Sequence, residues 1–287
     1  MITKPDLVCA YWTTAIGATP HGNPEYSSVD FRERVEETAK AGYKGIGFWH
    51  SDLEHILKTY SLSDVKRILD DNGINIVEME FLEDWFVDGD LRSASDARRK
   101  FLLEAGGALN ARGMKIGDFQ GKQAPMSRWI DEFASVCEDA APYGMKVAFE
   151  MLPNAHLNSL DACLALCEGA NKDNGGIYFD IWHIVKLGIA FDDVAKFPAK
   201  YRAGVELNDG FIENRFEFVV ETTCHRQIPG DGEFDIPSFI RAMQAAGHEG
   251  PWGVEILNKK VRDEYTMAEA AQRTYNATMA QFEAASN

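Results

Sequence analysis

A helical stripe that closes on a glycine, followed within a few residues by a short apolar run, recurs along this chain. That recurrence constrains the fold more than any other feature. The strand-like runs are 7–11, 44–48, 74–81, 114–119, 145–150, 177–180, 204–207 and 252–256. The stretches between them carry helical periodicity. Phe31, Val35 and Ala39 share one face, with Ser27 and Ser28 as the expected caps. Leu62, Val65, Ile68 and Leu69 form a stripe closed by Gly73. Met126, Trp129, Ile130, Phe133 and Cys137 form another, and Ile236, Phe239, Ile240 and Met243 follow Asp235 with Pro237 in the first turn. A terminal helix is expected from about 267 to 285. Eight strands alternating with helices imply an α/β fold of one domain, 1–287, a (β/α)8 TIM barrel. The alternative, a doubly wound open sheet, more often carries a Gly-rich phosphate loop after its first strand, and Trp12-Thr-Thr-Ala-Ile-Gly17 has no such spacing.

Four of the later runs deliver an acid where they stop: Glu150 after Val-Ala-Phe, Asp180 after Ile-Tyr-Phe, Glu206 after Gly-Val and Glu255 after Gly-Val. In a barrel these are the C-terminal ends of strands five to eight, the face on which active sites are built. Acids buried together repel one another unless a cation lies between them. Four carboxylates suit a hard or borderline divalent ion such as Mn2+, Mg2+ or Co2+. The alternative for each acid taken singly is a strand-end residue paired to a nearby Lys or Arg.

Other side chains gather at the same face. His183 follows Asp180 by three residues, so a turn after strand six points it back toward the mouth, to meet a substrate hydroxyl or a ligand carboxylate. His50 follows Phe48-Trp49 at the end of strand two and is expected to face the mouth as well. Arg226 precedes Pro229, Gly230 and Gly232, a tight loop that would fix it as a donor to a ligand oxygen. Trp12, Trp49, Phe81, Trp85 and Phe211 lie at or beyond strand ends and could wall a sugar-like ligand. Any one of them could equally cap the core.

The formal charge of −16 argues against nucleic acid and against anionic membrane surfaces. No run is long enough to span a bilayer, and the start lacks the regions of a signal peptide, so a cytoplasmic protein is expected. The five cysteines are scattered, which suits small buried thiols better than a zinc site.

Together Phe-Glu150, Asp180-x-x-His183, Pro-Gly-Asp-Gly232 and Val-Glu255-Ile resemble the xylose isomerase-like TIM barrel superfamily of sugar isomerases, epimerases and dehydratases. The resemblance implies that Glu150, Asp180 and Glu255 bind one divalent metal ion. It implies that His183 and Arg226 meet substrate oxygens, and that Glu150 and Glu255 double as the acid/base pair. The family's fourth ligand is usually a His in a His-x-x-Asp arrangement on strand seven; this chain has Glu206-Leu-Asn-Asp209 there. Its endonuclease IV branch, with a trinuclear zinc site, needs additional histidines that this chain lacks at the matching strand ends. The expected function is a metal-dependent isomerase or epimerase of a keto-sugar or related polyol, removing a proton next to a carbonyl through an enediolate. A dehydratase or lyase would share the first steps. A metal-free binding or partner subunit on the same fold is the alternative of another class. A homo-oligomer stays open.

Overall fold

The structure, a computed structural model, describes residues 5–286. Residues 1–4, on which the signal-peptide expectation partly rests, lie outside them. The strands are β1 (Leu7–Cys9), β2 (Gly45–Trp49), β3 (Ile76–Leu82), β4 (Gly113–Ile116), β5 (Lys146–Glu150), β6 (Gly175–Asp180), β7 (Arg202–Leu207) and β8 (Trp252–Val254). All pair in parallel and in sequence order, and β8 closes onto β1 through Leu7↔Trp252, Val8↔Gly253 and Cys9↔Val254. Each expected run overlaps one strand, so the eight-stave barrel read from the pattern is the observed fold. The ends moved: β1 and β8 keep only three residues each, and the backbone after β1 turns into a short 3-10 helix, Tyr11–Thr13.

Alternation along each strand sorts the side chains. Val147, Phe149, Ile177, Phe179, Val205 and Leu207 join Phe133, Val136, Leu166 and Phe239 of the surrounding helices in the main core. Residues of the other parity enter the lumen. There Tyr178 donates to Glu78 at 3.1 Å, and Arg112 pairs with the other oxygen of Glu78 at 2.9 Å.

Lumen packing depends on glycine. A Cβ on Gly253 would lie 2.7 Å from both Glu206 Oε1 and the Tyr178 hydroxyl. The absent side chain makes the space in which the Glu206 carboxylate sits. Gly253→Ala is expected to cost about 1–3 kcal/mol by overpacking, read as a lower urea midpoint with unchanged slope.

The helix Phe31–Ala41 is capped by Asp30, whose side chain accepts from Arg32 N, and not by Ser27 or Ser28. Both serine hydroxyls donate to the Ile16 carbonyl, so they close the loop before the helix. Asp235 caps Ile236–Ala245 with Pro237 in its first turn, and the last helix runs Met267–Ala285. Short helices that periodicity could not reveal, His50–Ile56, Ile181–Lys186 and Phe218–Cys224, follow β2, β6 and β7. Cys9, Cys137, Cys163 and Cys167 are buried free thiols, and burial pushes Cys9 and Cys137 up to about 12. Among the described residues no helix is long and apolar enough to cross a membrane.

Candidate active site

Glu150 and Asp180 are the last residues of β5 and β6, Glu206 lies one residue from the end of β7, and Glu255 follows β8. One oxygen from each lies within 4.8 Å of the others, and all four residues are buried. The strand order makes this meeting: β5 to β8 are consecutive staves, and their tips converge on one mouth. Asp180 also caps the helix Ile181–Lys186. Its Oδ1 accepts from Trp182 N at 2.7 Å and from Asn208 Nδ2 at 2.8 Å. The turn that this cap fixes brings His183 back over the acids. His183 Nε2 lies 3.0 Å from Glu150 Oε1 and 3.6 Å from Asp180 Oδ2.

Two permanent cations share the cluster. Arg226 NH1 donates to Asp180 Oδ2 at 2.6 Å and to Glu255 Oε2 at 3.0 Å. Its Nε and NH2 donate to the carbonyl and hydroxyl of Thr222. The tight loop predicts Arg226 as a donor to a ligand oxygen; its guanidinium turns mainly toward the cluster's own acids. The second cation, Lys115 of β4, was not anticipated. Its Nζ lies 3.1 and 3.2 Å from the two oxygens of Glu206, 3.5 Å from Glu80 Oε1 and 3.6 Å from Glu255 Oε1. Glu80 of β3 was missed as well. The signal existed: Glu78 and Glu80 stand two apart in an apolar strand, and Lys115 sits between Met114 and Ile116, so parity sends all three inward.

Burial pushes Glu206 well above the usual carboxylate range and raises Glu255, with Lys115 only partly offsetting it and neighbouring acids adding to it. Burial raises Glu80 to about 8 despite Lys115. For Asp180 burial opposes the charge, but Arg226 and His183 outweigh it and hold the acid below its ordinary value. Five acids crowd two permanent cations, and the raised values show that the cluster resists carrying all of its negative charge without a further cation.

Those residues fit a divalent ion in donor type and in charge. The donors are hard carboxylate oxygens within reach of one centre. Glu80 Oε1 is buried and accepts no hydrogen bond among the described residues. The four acids are not equivalent, however. Glu206 has both oxygens on Lys115, whereas Glu150, Asp180 and Glu255 each keep at least one oxygen clear of it.

Over the cluster opens a cavity of about 770 Å3, counting its mouth. Glu80, Glu150, His183, Arg226 and Glu255 form its polar side, and Trp12, Trp49, Phe81, Phe119, Leu152 and Leu257 its apolar wall. Phe81 and Phe119 stack at 4.7 Å, and Trp12 meets Trp49 edge-on at 5.2 Å. Three expected residues stand elsewhere. Trp85 is enclosed by Phe86, Trp129 and Phe149 and donates to the Gly117 carbonyl at 3.3 Å. Its ring belongs to the core beneath the mouth. His50 begins the helix after β2, leans on Trp49 and lies off the cavity wall. Burial lowers it to about 3. Phe211 carries the Arg215 guanidinium 3.3 Å above its ring, outside the cavity.

Asp209 has a structural task. It accepts from the backbone N–H groups of Gly210, Gly230, Gly232 and Phe234 at 2.8 to 3.0 Å, fixing the loop that follows Arg226. Asp209→Asn turns an N–H toward those donors. It is expected to cost about 2 kcal/mol, visible in thermal denaturation.

The family model described as xylose isomerase-like TIM barrel matches residues 35–277. A 3-dehydroshikimate dehydratase from Pseudomonas aeruginosa is 28% identical over 248 residues, 83% of this chain; the chain spans only 38% of that relative's length. An inosose isomerase from Halalkalibacterium halodurans is 23% identical over 248 residues, 83% of this chain and 85% of the relative. Among solved structures, one described as IolI protein with a binding zinc atom superposes with a TM-score of 0.80 at 20% identity, covering 97% of this chain and 98% of its own. That likeness speaks to the fold alone. The family model covers most of the barrel, its strand-end acids and its mouth, and the chain belongs to the xylose isomerase-like TIM barrel family.

Proposed function

We propose that this chain is a divalent-metal-dependent isomerase or epimerase acting on a keto-sugar or related polyol. The observation that carries the reading is the meeting of Glu150, Asp180 and Glu255, with His183 against Glu150, at the floor of a half-aromatic cavity. Glu150, Asp180 and Glu255 would hold the ion, which supplies Lewis-acid polarisation of a carbonyl beside the carbon that loses its proton. Glu150 takes that proton, and Glu255, facing the same cavity, returns one. His183 orients Glu150 and can reach a substrate hydroxyl. Trp12 and Trp49 cover the apolar face of a sugar ring and keep water from the reacting carbon.

An uncharged substrate suits the cavity better than an anion. Arg226 directs its donors chiefly at Asp180, Glu255 and Thr222, and Lys115 is enclosed among acids. The likeness to an inosose isomerase supports the same class. A dehydratase is the second reading, favoured by the likeness to 3-dehydroshikimate dehydratases, and it begins with the same proton removal.

The test is solvent deuterium entry into ketohexoses, inososes and 3-dehydroshikimate in D2O, with Mn2+ or with chelator. Exchange into a neutral keto-polyol that needs Mn2+ is expected. Loss of water from 3-dehydroshikimate, with no exchange into the neutral keto-polyols, would establish the dehydratase. No exchange with any of them would favour a binding or partner subunit.

A further inference from the structure

The lumen side of the acid cluster holds a charge pair that the proposed chemistry does not use. Lys115 comes from β4 and Glu206 from β7, three strands away around the barrel, so the pair spans the interior. Both members are buried, and the ammonium lies almost equidistant from the two carboxylate oxygens. Gly253 leaves the space in which that carboxylate sits. The Tyr178 ring centroid lies 5.0 Å from the same ammonium. Nothing in this arrangement is free to turn without leaving a buried charge alone.

We infer that Lys115 withdraws Glu206 from the metal's donor set, so that Glu150, Asp180 and Glu255 hold the ion while Glu206 serves as the counter-ion of Lys115. The inference rests on the metal reading above. A dication bound to a carboxylate whose two oxygens already face an ammonium would place two positive centres within a few ångströms in a dry site, where their repulsion is strong. Glu150 meets neither permanent cation, Asp180 meets Arg226 on one oxygen only, and Glu255, though it faces Arg226 at 3.0 Å and Lys115 at 3.6 Å, has no single cation on both oxygens. The other cation, Arg226, bridges Asp180 to Glu255 and leaves Glu150 to His183. The lysine therefore sets how many carboxylates the ion meets. Lys115 is a positioning residue and touches no substrate atom.

Charge alone cannot mimic this arrangement in a double-variant cycle, because removing both partners leaves the net charge of the site unchanged. Mn2+ affinity is measured by calorimetry, and Co2+ visible absorption reports coordination, for the full chain and for Lys115→Met, Glu206→Gln, the double variant and Asp180→Asn. The double variant is expected to bind Mn2+ within about threefold of the parent and to keep its Co2+ spectrum. Lys115→Met alone frees a fourth carboxylate and is expected to bind about thirtyfold more tightly or better, with an altered Co2+ spectrum. A merely structural lysine would leave the Co2+ spectrum of Lys115→Met unchanged, whatever the loss of its charge does to affinity. A double variant as weak as Asp180→Asn would put Glu206 among the ligands and overturn the inference. If the parent binds no Mn2+ but Lys115→Met does, the metal-dependent function falls and the inference falls with it, because no ion is then held by the three acids. If no variant binds, both fall. Lys115→Gln/Glu206→Gln, which can keep a hydrogen bond across the lumen, replaces the double variant if that one fails to fold by near-ultraviolet circular dichroism, and the same outcomes decide.

Discussion

Glu150→Gln is expected to slow deuterium entry into a keto-polyol substrate by about a hundred- to ten-thousandfold, the range that a positioned general base contributes. The substitution keeps the shape of the side chain and removes its ability to take a proton. Glu150 is the natural base of the pair because His183 is its only close hydrogen-bond partner among the described residues. Glu255 is held more tightly, by Arg226 at 3.0 Å and by Lys115 at 3.6 Å. Glu150 is also a proposed ligand, so loss of exchange must be separated from loss of the ion. Mn2+ titration of the variant does this. Exchange lost while most of the Mn2+ affinity remains supports the base. Unchanged exchange would remove Glu150 from the chemistry.

Arg34→Met is expected to give the largest loss of stability, about 3–5 kcal/mol, because it strips the partner from a buried carboxylate. Arg34 meets Asp52 in two parallel contacts, NH1 to Oδ1 at 2.8 Å and NH2 to Oδ2 at 2.7 Å, with both side chains shielded from solvent. Ser27 N donates to the same Asp52 at 2.9 Å. The pair ties the helix Phe31–Ala41 to the helix His50–Ile56, which directly follows Trp49. Its loss should loosen the aromatic wall as well as the fold. Urea denaturation measures the first effect and quenching of tryptophan fluorescence the second. Arg34→Met/Asp52→Leu, which leaves no lone charge, is expected to recover much of the stability. No recovery would mean that the cost lies in packing rather than in the unpaired acid.

The barrel was legible because its cause is local. Each strand is a short apolar run, each helix a stripe of period 3.6, and eight of them in alternation leave few ways to close. The acids at 150, 180, 206 and 255 were legible for the same reason, since strand ends can be read along the chain. Asp30 displaced Ser27 and Ser28 as a cap because the loop drew the serine hydroxyls to Ile16, a contact no capping pattern encodes. Trp85 and His50 stand near strand ends, but the turns after those strands send Trp85 into the core and His50 behind Trp49.

From its sequence alone the chain determined a closed eight-stave barrel with four acids at one rim. The tertiary structure decided which charges those acids meet. Lys115 and Glu206 are 91 residues apart, and Arg226 lies 46 residues from Asp180. Parity could send Lys115 and Glu206 inward, but only closure of the cylinder brings β4 across from β7 and the loop bearing Arg226 over β6. Coulomb attraction acts through space and falls with distance, so pairing in a dry lumen follows the barrel's geometry and not the order of residues along the chain.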